Sequence, residues 1–167
     1  MKNLTKLSAL AFIGFTIVAC SNTGAEKSKF NGHGYQAFSA SISWTQAKAQ
    51  CESSGGYLAT ITSEAEQKFI EGLISKGDKN YYWIGGYSES ERAFRWVTDE
   101  PMKFTVWASG EPNNYQGNQD KMIIYRLANP ASSGSELKWD DISNEGTIAD
   151  ESFFGVGNFG YICEWDK

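Results

Sequence analysis

Three short segments, Glu111-Pro112-Asn113-Asn114, Gln119-Asp120 and Trp139-Asp140-Asp141, gather the side chains best suited to chemistry. Every donor they offer to a ligand is an oxygen, with carboxylates mixed among amide carbonyls. Such a set suits a hard cation, calcium above all, because softer metals favour thiolate and imidazole. Glu111, Asn113, Gln119, Asp140 and Asp141 are the candidate metal ligands. A cis Glu111–Pro112 bond comes at modest cost before proline. It turns the flanking side chains to one side, so that Glu111 and Asn113 grip one ion. Asp140 and Asp141 are neighbours on a predicted strand and face opposite ways. Both can then serve only at a strand end or through a backbone carbonyl. Spacing alone reads equally as an acidic loop with an Asx-rich turn. Glu111, Asp120, Asp140 and Asp141 also contain the raw material of glycoside hydrolysis. That chemistry needs one carboxyl kept protonated in an apolar setting, whereas these acids cluster as a cation cage does. The chain is read as a binding protein and not an enzyme.

The elements that must position these residues follow from periodicity. Ser43 and Gln46 have capping-box spacing, and Trp44, Ala47 and Cys51 fall on one helical face before Gly55-Gly56 stops the helix. Ser63 and Glu66 predict a second capping box and helix, with Ala65, Phe69 and Leu73 as its apolar stripe, flanked by Ile70 and Ile74, and Gly77 as its end. Residues 57–61, 81–84, 94–97, 121–125, 137–141 and 160–165 read as strands. Residues 98–119 show no clean periodicity and read as one long loop, a kind of segment that is usually functional in a compact domain. Two helices followed by strands and loops make the fold class α+β.

Composition agrees with one domain. The chain has 167 residues, a net charge of −5 and 41% hydrophobic residues. The negative balance argues against nucleic acid held on a general basic surface. Aromatics at 14%, with 17 Gly, favour packed strands joined by tight turns over a helical bundle. One His and three Cys exclude a zinc ribbon and leave little for a His-based triad.

The N-terminus reads as an address. Lys2 and Lys6 precede an apolar run over residues 7–18, too short to span a bilayer comfortably. The run ends in Ile17-Val18-Ala19-Cys20, which resembles the lipobox of bacterial lipoproteins. Residues 1–19 are then a signal peptide, Cys20 is the lipidated first residue, and residues 20–34 form a tether ahead of a domain over 35–167. His33, between two glycines, reads as a solvated turn residue with no role. Ser21 after the Cys leans towards the outer membrane, facing periplasm or cell surface. With Cys20 taken by lipid, Cys51 and Cys163 remain. Two thiols in an exported domain most often pair, the alternative being two buried free thiols.

From residue 34 to the end the sequence resembles the C-type lectin-like domain family. The resemblance is carried by Cys51 on the first helix, Gly56-Tyr57-Leu58-Ala59, Trp83-Ile84-Gly85-Gly86 and Trp107. It continues through Gly110-Glu111-Pro112-Asn113-Asn114, Gln119-Asp120, Trp139-Asp140-Asp141 and Gly160-Tyr161-Ile162-Cys163-Glu164. It implies a double-loop domain with two helices and two small antiparallel sheets, a Cys51–Cys163 bridge, and calcium-dependent sugar binding. In the family one calcium takes two adjacent sugar hydroxyls. By analogy Glu111 and Asn113 serve one hydroxyl, and Gln119 and Asp140 the other. Two departures stand out. A second disulfide common in the family is absent, since its positions hold Lys121 and Asn144. The family's Glu and Asn have become Gln119 and Asp140, which leaves the cage charge at −3. Glu-Pro-Asn implies mannose-type sugars, but the exchanged second pair and Tyr115, a candidate stacking aromatic, point equally to galactose-type sugars. A protein-binding or adhesion module of the same fold, working without calcium, is the other reading.

Overall fold

The computed structural model describes residues 27–90, 93–128, 134–146 and 157–166. The leader, Cys20 and the first part of the tether lie outside the described residues.

Helix α1 spans Trp44–Ser53 and begins as its capping box requires. Ser43 Oγ accepts from Gln46 N at 3.3 Å, and Gln46 Oε1 accepts from Ser43 N at 3.0 Å. Its buried residues are Trp44, Ala47 and Cys51. Just past its end, Gly55 has φ of +76°, a left-handed conformation that glycine adopts without a Cβ penalty. Helix α2 spans Glu64–Ile74 and forms only half of its predicted box. Ser63 Oγ caps Glu66 N, but the Glu66 carboxylate reaches Thr62 N at 2.8 Å. The predicted stripe is displaced as well. Glu66, Gln67, Ile70 and Ile74 are buried, Phe69 and Leu73 are half-buried, and Ala65 is exposed. Glu66 and Gln67 can face inward because each finds hydrogen-bond partners there, which removes the cost of burying a polar group.

The strands are β1 Ser28–Phe30, β2 His33–Phe38, β3 Tyr57–Leu58, β4 Tyr81–Ser88, β5 Phe94–Trp96, β6 Lys121–Tyr125, β7 Trp139–Ile142 and β8 Phe159–Trp165. They join in the order β1-β2-β8-β4-β6-β7, with β3 on β8 and β5 on β4. The two expected sheets are thus hydrogen-bonded into one. The link is a parallel pairing of Tyr81–Trp83 on β4 with Phe159–Tyr161 on β8, and both strands are buried along almost their whole length. Strand β4 carries a register shift between Trp83 and Tyr87. Glycine is required there, since a Cβ on Gly85 would lie 2.5 Å from the Leu58 carbonyl oxygen and one on Gly86 1.8 Å from Met122 Sδ. Cys51 and Cys163 are disulfide-bonded, tying α1 to β8 across a sequence separation of 112.

The hairpin of β1 and β2 falls where the sequence reads as tether. Residues 28–30 and 33–34 are part of the sheet, with Gly34 paired to Trp165 and Tyr35 to Glu164. His33 is no free turn residue either, because its Nδ1 lies 2.7 Å from buried Glu164 Oε1. The Tyr35 hydroxyl sits between two buried carboxylates, 2.5 Å from Glu66 Oε1 and 3.0 Å from Glu164 Oε1. Small polar residues beside a sheet edge carry no apolar alternation, so the sequence had no strand signal to offer.

Candidate metal centre

The centre is built where the long loop meets β7, the last strand in the sheet order. Trp139 anchors the junction. It is fully buried, its Nε1 donates to Gln67 Oε1 at 2.9 Å, and Gln67 Nε2 donates to the Leu137 carbonyl at 2.9 Å. Trp107 packs edge-on against the Trp139 ring, and Ala108 N donates to the Trp139 carbonyl at 2.8 Å. Beyond that contact the edge of β7 faces the loop. The side chains of Asp140 and Asp141 leave opposite faces of the strand, yet both reach one centre. The expected restriction to a strand end is relieved because an edge strand lets side chains from its two faces wrap towards the same side.

Glu111, Asp140 and Asp141 each place a carboxylate oxygen within 4.8 Å of the others. The Glu111–Pro112 peptide is cis, and Asn113 Nδ2 donates to Glu111 Oε1 at 2.9 Å. Asp141 is fully buried and braces the loop, with Oδ1 accepting from Asn113 N at 2.9 Å and Oδ2 from Asn114 N at 2.8 Å. Asp140 is 8% exposed, and its Oδ2 accepts from the Tyr125 hydroxyl. Gln119 has a different setting. Its Oε1 accepts from Tyr115 N at 2.7 Å, and its own N donates to Asn114 Oδ1 at 3.1 Å. Its carbonyl therefore staples the loop turn. Tyr115 opens a short 3-10 turn, Tyr115–Gly117, and stands 55% exposed. Asp120 lies outside the carboxylate trio and pairs with Lys121 Nζ at 2.6 Å.

Three carboxylates this close repel one another. Burial first, then the charges of Asp140 and Asp141, push Glu111 up to about 8. Burial and the Asp141 charge push Asp140 up to about 6, against the lowering effect of the Tyr125 hydroxyl. Burial also raises Glu164 on β8, outside this cluster. A carboxyl whose folded pKa lies above its unfolded value stabilises the fold in acid, and that stability is lost as pH rises through the folded value. In chelator, the urea midpoint is therefore expected to fall from pH 5 to pH 9, through the window near 6 and 8. Saturating calcium should flatten the fall, because a bound cation favours the ionised carboxylates. A midpoint that rises with pH in chelator overturns this account.

The family model described as the Lectin C-type domain matches residues 40–146, more than half of the chain. The chain belongs to the C-type lectin domain family. Among its relatives, lectin BRA-3 of Megabalanus rosa is 35% identical over 58% of this chain and 59% of its own length. The perlucin-like protein of Mytilus galloprovincialis is 29% identical over 98% of this chain and 100% of its own. In fold, the chain resembles the cow C-type carbohydrate-recognition domain of CD23, solved in the presence of an oligosaccharide. The TM-score is 0.66 at 23% identity, covering 85% of this chain and 94% of that one.

In this lectin domain Lys121 and Asn144, the positions that the resemblance assigns to a second bridge, are held by non-covalent contacts. Lys121 Nζ lies 5.2 Å from the centre of a Trp44 ring, in cation–π range. The Asn144 carbonyl accepts from Trp44 N at 3.0 Å, and its Oδ1 from Thr45 N at 3.1 Å. Both positions thus fasten to the first turn of α1. Two supporting residues had little signal in the sequence. Tyr125 read as one more strand aromatic, and Gln67 as an ordinary residue of an amphipathic helix.

Proposed function

We propose that this chain is a calcium-dependent carbohydrate-binding protein. We further propose that it is a lipoprotein carried on a bacterial membrane by lipid at Cys20, facing periplasm or cell surface. The observation that carries the calcium reading is the state of Glu111. Its Oε2 is buried with no hydrogen-bond partner, inside a trio of carboxylates that repel one another. A hard divalent cation answers both conditions, and the donors are oxygens of the right kind. Glu111, Asn113, Asp140 and Asp141 would hold it, with Gln119 joining through its carbonyl oxygen. Calcium, when bound, supplies a positive centre that accepts neutral hydroxyl oxygens as ligands.

The remaining work belongs to the side chains. Glu111 and Asn113 stand as a joined acceptor and donor, so one sugar hydroxyl can give a proton to the carboxylate and accept one from the amide. Gln119 and Asp140 offer the same pair of roles with the residue types exchanged. Exposed Tyr115 presents a ring on which the apolar face of a galactose-type sugar can pack. No carboxyl pair is asked to do acid–base chemistry, and the reading is of a lectin and not an enzyme.

Calorimetry with mannose-type and galactose-type ligands, with and without EDTA, tests the reading. Binding is expected only with calcium. Gln119→Glu combined with Asp140→Asn keeps the cage charge at −3 and is expected to shift preference towards mannose, through hydrogen-bond direction alone. Sugar binding that survives EDTA removes the calcium mechanism. It would favour the second reading, a calcium-independent adhesion or protein-binding module, for which the loop's internal bracing by Asp141 and Gln119 speaks. For the anchor, Cys20→Ala is expected to move the protein from the membrane fraction to the soluble one, and an unchanged distribution sinks the lipid reading.

A further inference from the structure

We propose that Tyr125 is a positioning residue of the cation cage, acting through Asp140. The inference rests on the calcium reading above and concerns a residue outside the ligand set. Asp140 is directly opposite Ile123 in the β6–β7 pairing. Side chains two apart on a strand share a face, so Tyr125, Ile123 and Asp140 lie on the same side of the sheet. The diagonal from Tyr125 to Asp140 is within reach of an aromatic side chain. Its hydroxyl donates to Asp140 Oδ2.

The phenol is held firmly. Tyr125 N donates to the Lys138 carbonyl at 2.9 Å, and Leu137 N donates to the Tyr125 carbonyl at 3.0 Å. Its fully buried ring packs edge-on against Tyr81, with centroids 5.6 Å apart. A buried phenol and a nearly buried carboxylate are each costly without a partner, and here each serves the other. Asp140 brings a carboxylate onto a sheet face shared with Ile123 and Tyr81. The Tyr125 hydroxyl donates to this charge there, and of the hydrogen bonds to Asp140 it lowers the carboxyl most. A carboxylate has two oxygens. Oδ2 accepts from Tyr125, and the Asp140 carboxylate offers an oxygen to the cluster it forms with Glu111 and Asp141. Tyr125 thus fixes the Asp140 rotamer and favours single-oxygen ligation. Partners that orient a metal ligand in this way typically change affinity 10- to 100-fold when removed.

The test is a double-mutant cycle on the full chain, with calcium affinity read by calorimetry. Tyr125→Phe is expected to weaken calcium about 10-fold. In an Asp140→Asn background the same change is expected to alter affinity less than about twofold, since the charged partner is gone. A role in packing alone would give equal losses in both backgrounds, and that result overturns the proposal. So does an affinity in Tyr125→Phe that stays within twofold of the unchanged protein, or becomes tighter. If the unchanged protein binds no calcium, the cage reading fails and this proposal fails with it. Circular dichroism in chelator shows whether each variant is folded. Should Tyr125→Phe not fold, Tyr125→Trp, which restores a buried ring donor of different reach, is expected to bind calcium more weakly than the unchanged protein, and equal affinity again overturns the proposal.

Discussion

Asp141→Ala is expected to abolish calcium binding and sugar binding together. The side chain does two things at once. It supplies one of the three carboxyl groups of the cage, and it accepts the Asn113 and Asn114 amides through its two oxygens. A hydrogen bond to a charged group contributes about 1.5–3 kcal/mol in favourable cases. Alanine removes both bonds and leaves two loop amides to find water. The segment that carries Glu111 and Asn113 then loses its attachment to β7. Relief of repulsion among the remaining carboxylates offsets part of the stability loss in chelator, so binding is the sharper readout. Calorimetry should show no calcium uptake at concentrations that saturate the unchanged protein. Calcium affinity within tenfold of the unchanged protein would remove Asp141 from the centre of the site.

Replacing both Cys51 and Cys163 by alanine is expected to destabilise the fold by roughly 4–5 kcal/mol, the chain-entropy figure for closing a loop of this order. The bridge joins α1 to the last strand, across a sequence separation of 112. Both sulfur sites are buried, so the small cavities left by alanine add to the loss. Small domains are stable by about 5–15 kcal/mol, so the double variant should be close to unfolding at body temperature. Urea denaturation of the oxidised protein against the double variant measures the difference. A loss under about 2 kcal/mol would mean that the unfolded chain is already compact enough for the bridge to constrain little.

Local signals in the sequence carried over well where the deciding contact is local. Ser43 and Gln46 cap α1 because a capping box involves only four consecutive residues and the backbone between them. Residues 81–84 form a buried strand because a continuous run of large apolar side chains is stable in few other places. Where the deciding contact is distant, the same kind of reading slipped. Ala65, Phe69 and Leu73 have helical spacing, yet the inner face of α2 is Glu66, Gln67, Ile70 and Ile74. Tyr35 and Trp139 turn that polar pair inward, and they lie 31 and 72 residues away. His33 and the residues around it entered the sheet for the same reason, through Glu164 and Trp165 at the other end of the chain.

The candidate site divides along the same line. The sequence by itself determined the chemistry on offer: oxygen donors of charge −3, a proline beside Glu111, and two cysteines able to close the domain. Those are properties of residue types and short spacings, and any fold of this chain must contain them. Only the tertiary structure decided which donors meet. Asp140 and Asp141 converge on Glu111 because β7 lies at the edge of the sheet, a position set by pairing with β6 and not by β7's own residues. Gln119 turns its carbonyl to Tyr115, and Asp140 lends one oxygen to Tyr125, because those donors stand nearer than any sequence pattern records. Side-chain direction depends on which neighbours satisfy a polar group, and here those neighbours come from a loop turn and an adjacent strand that only folding brings together.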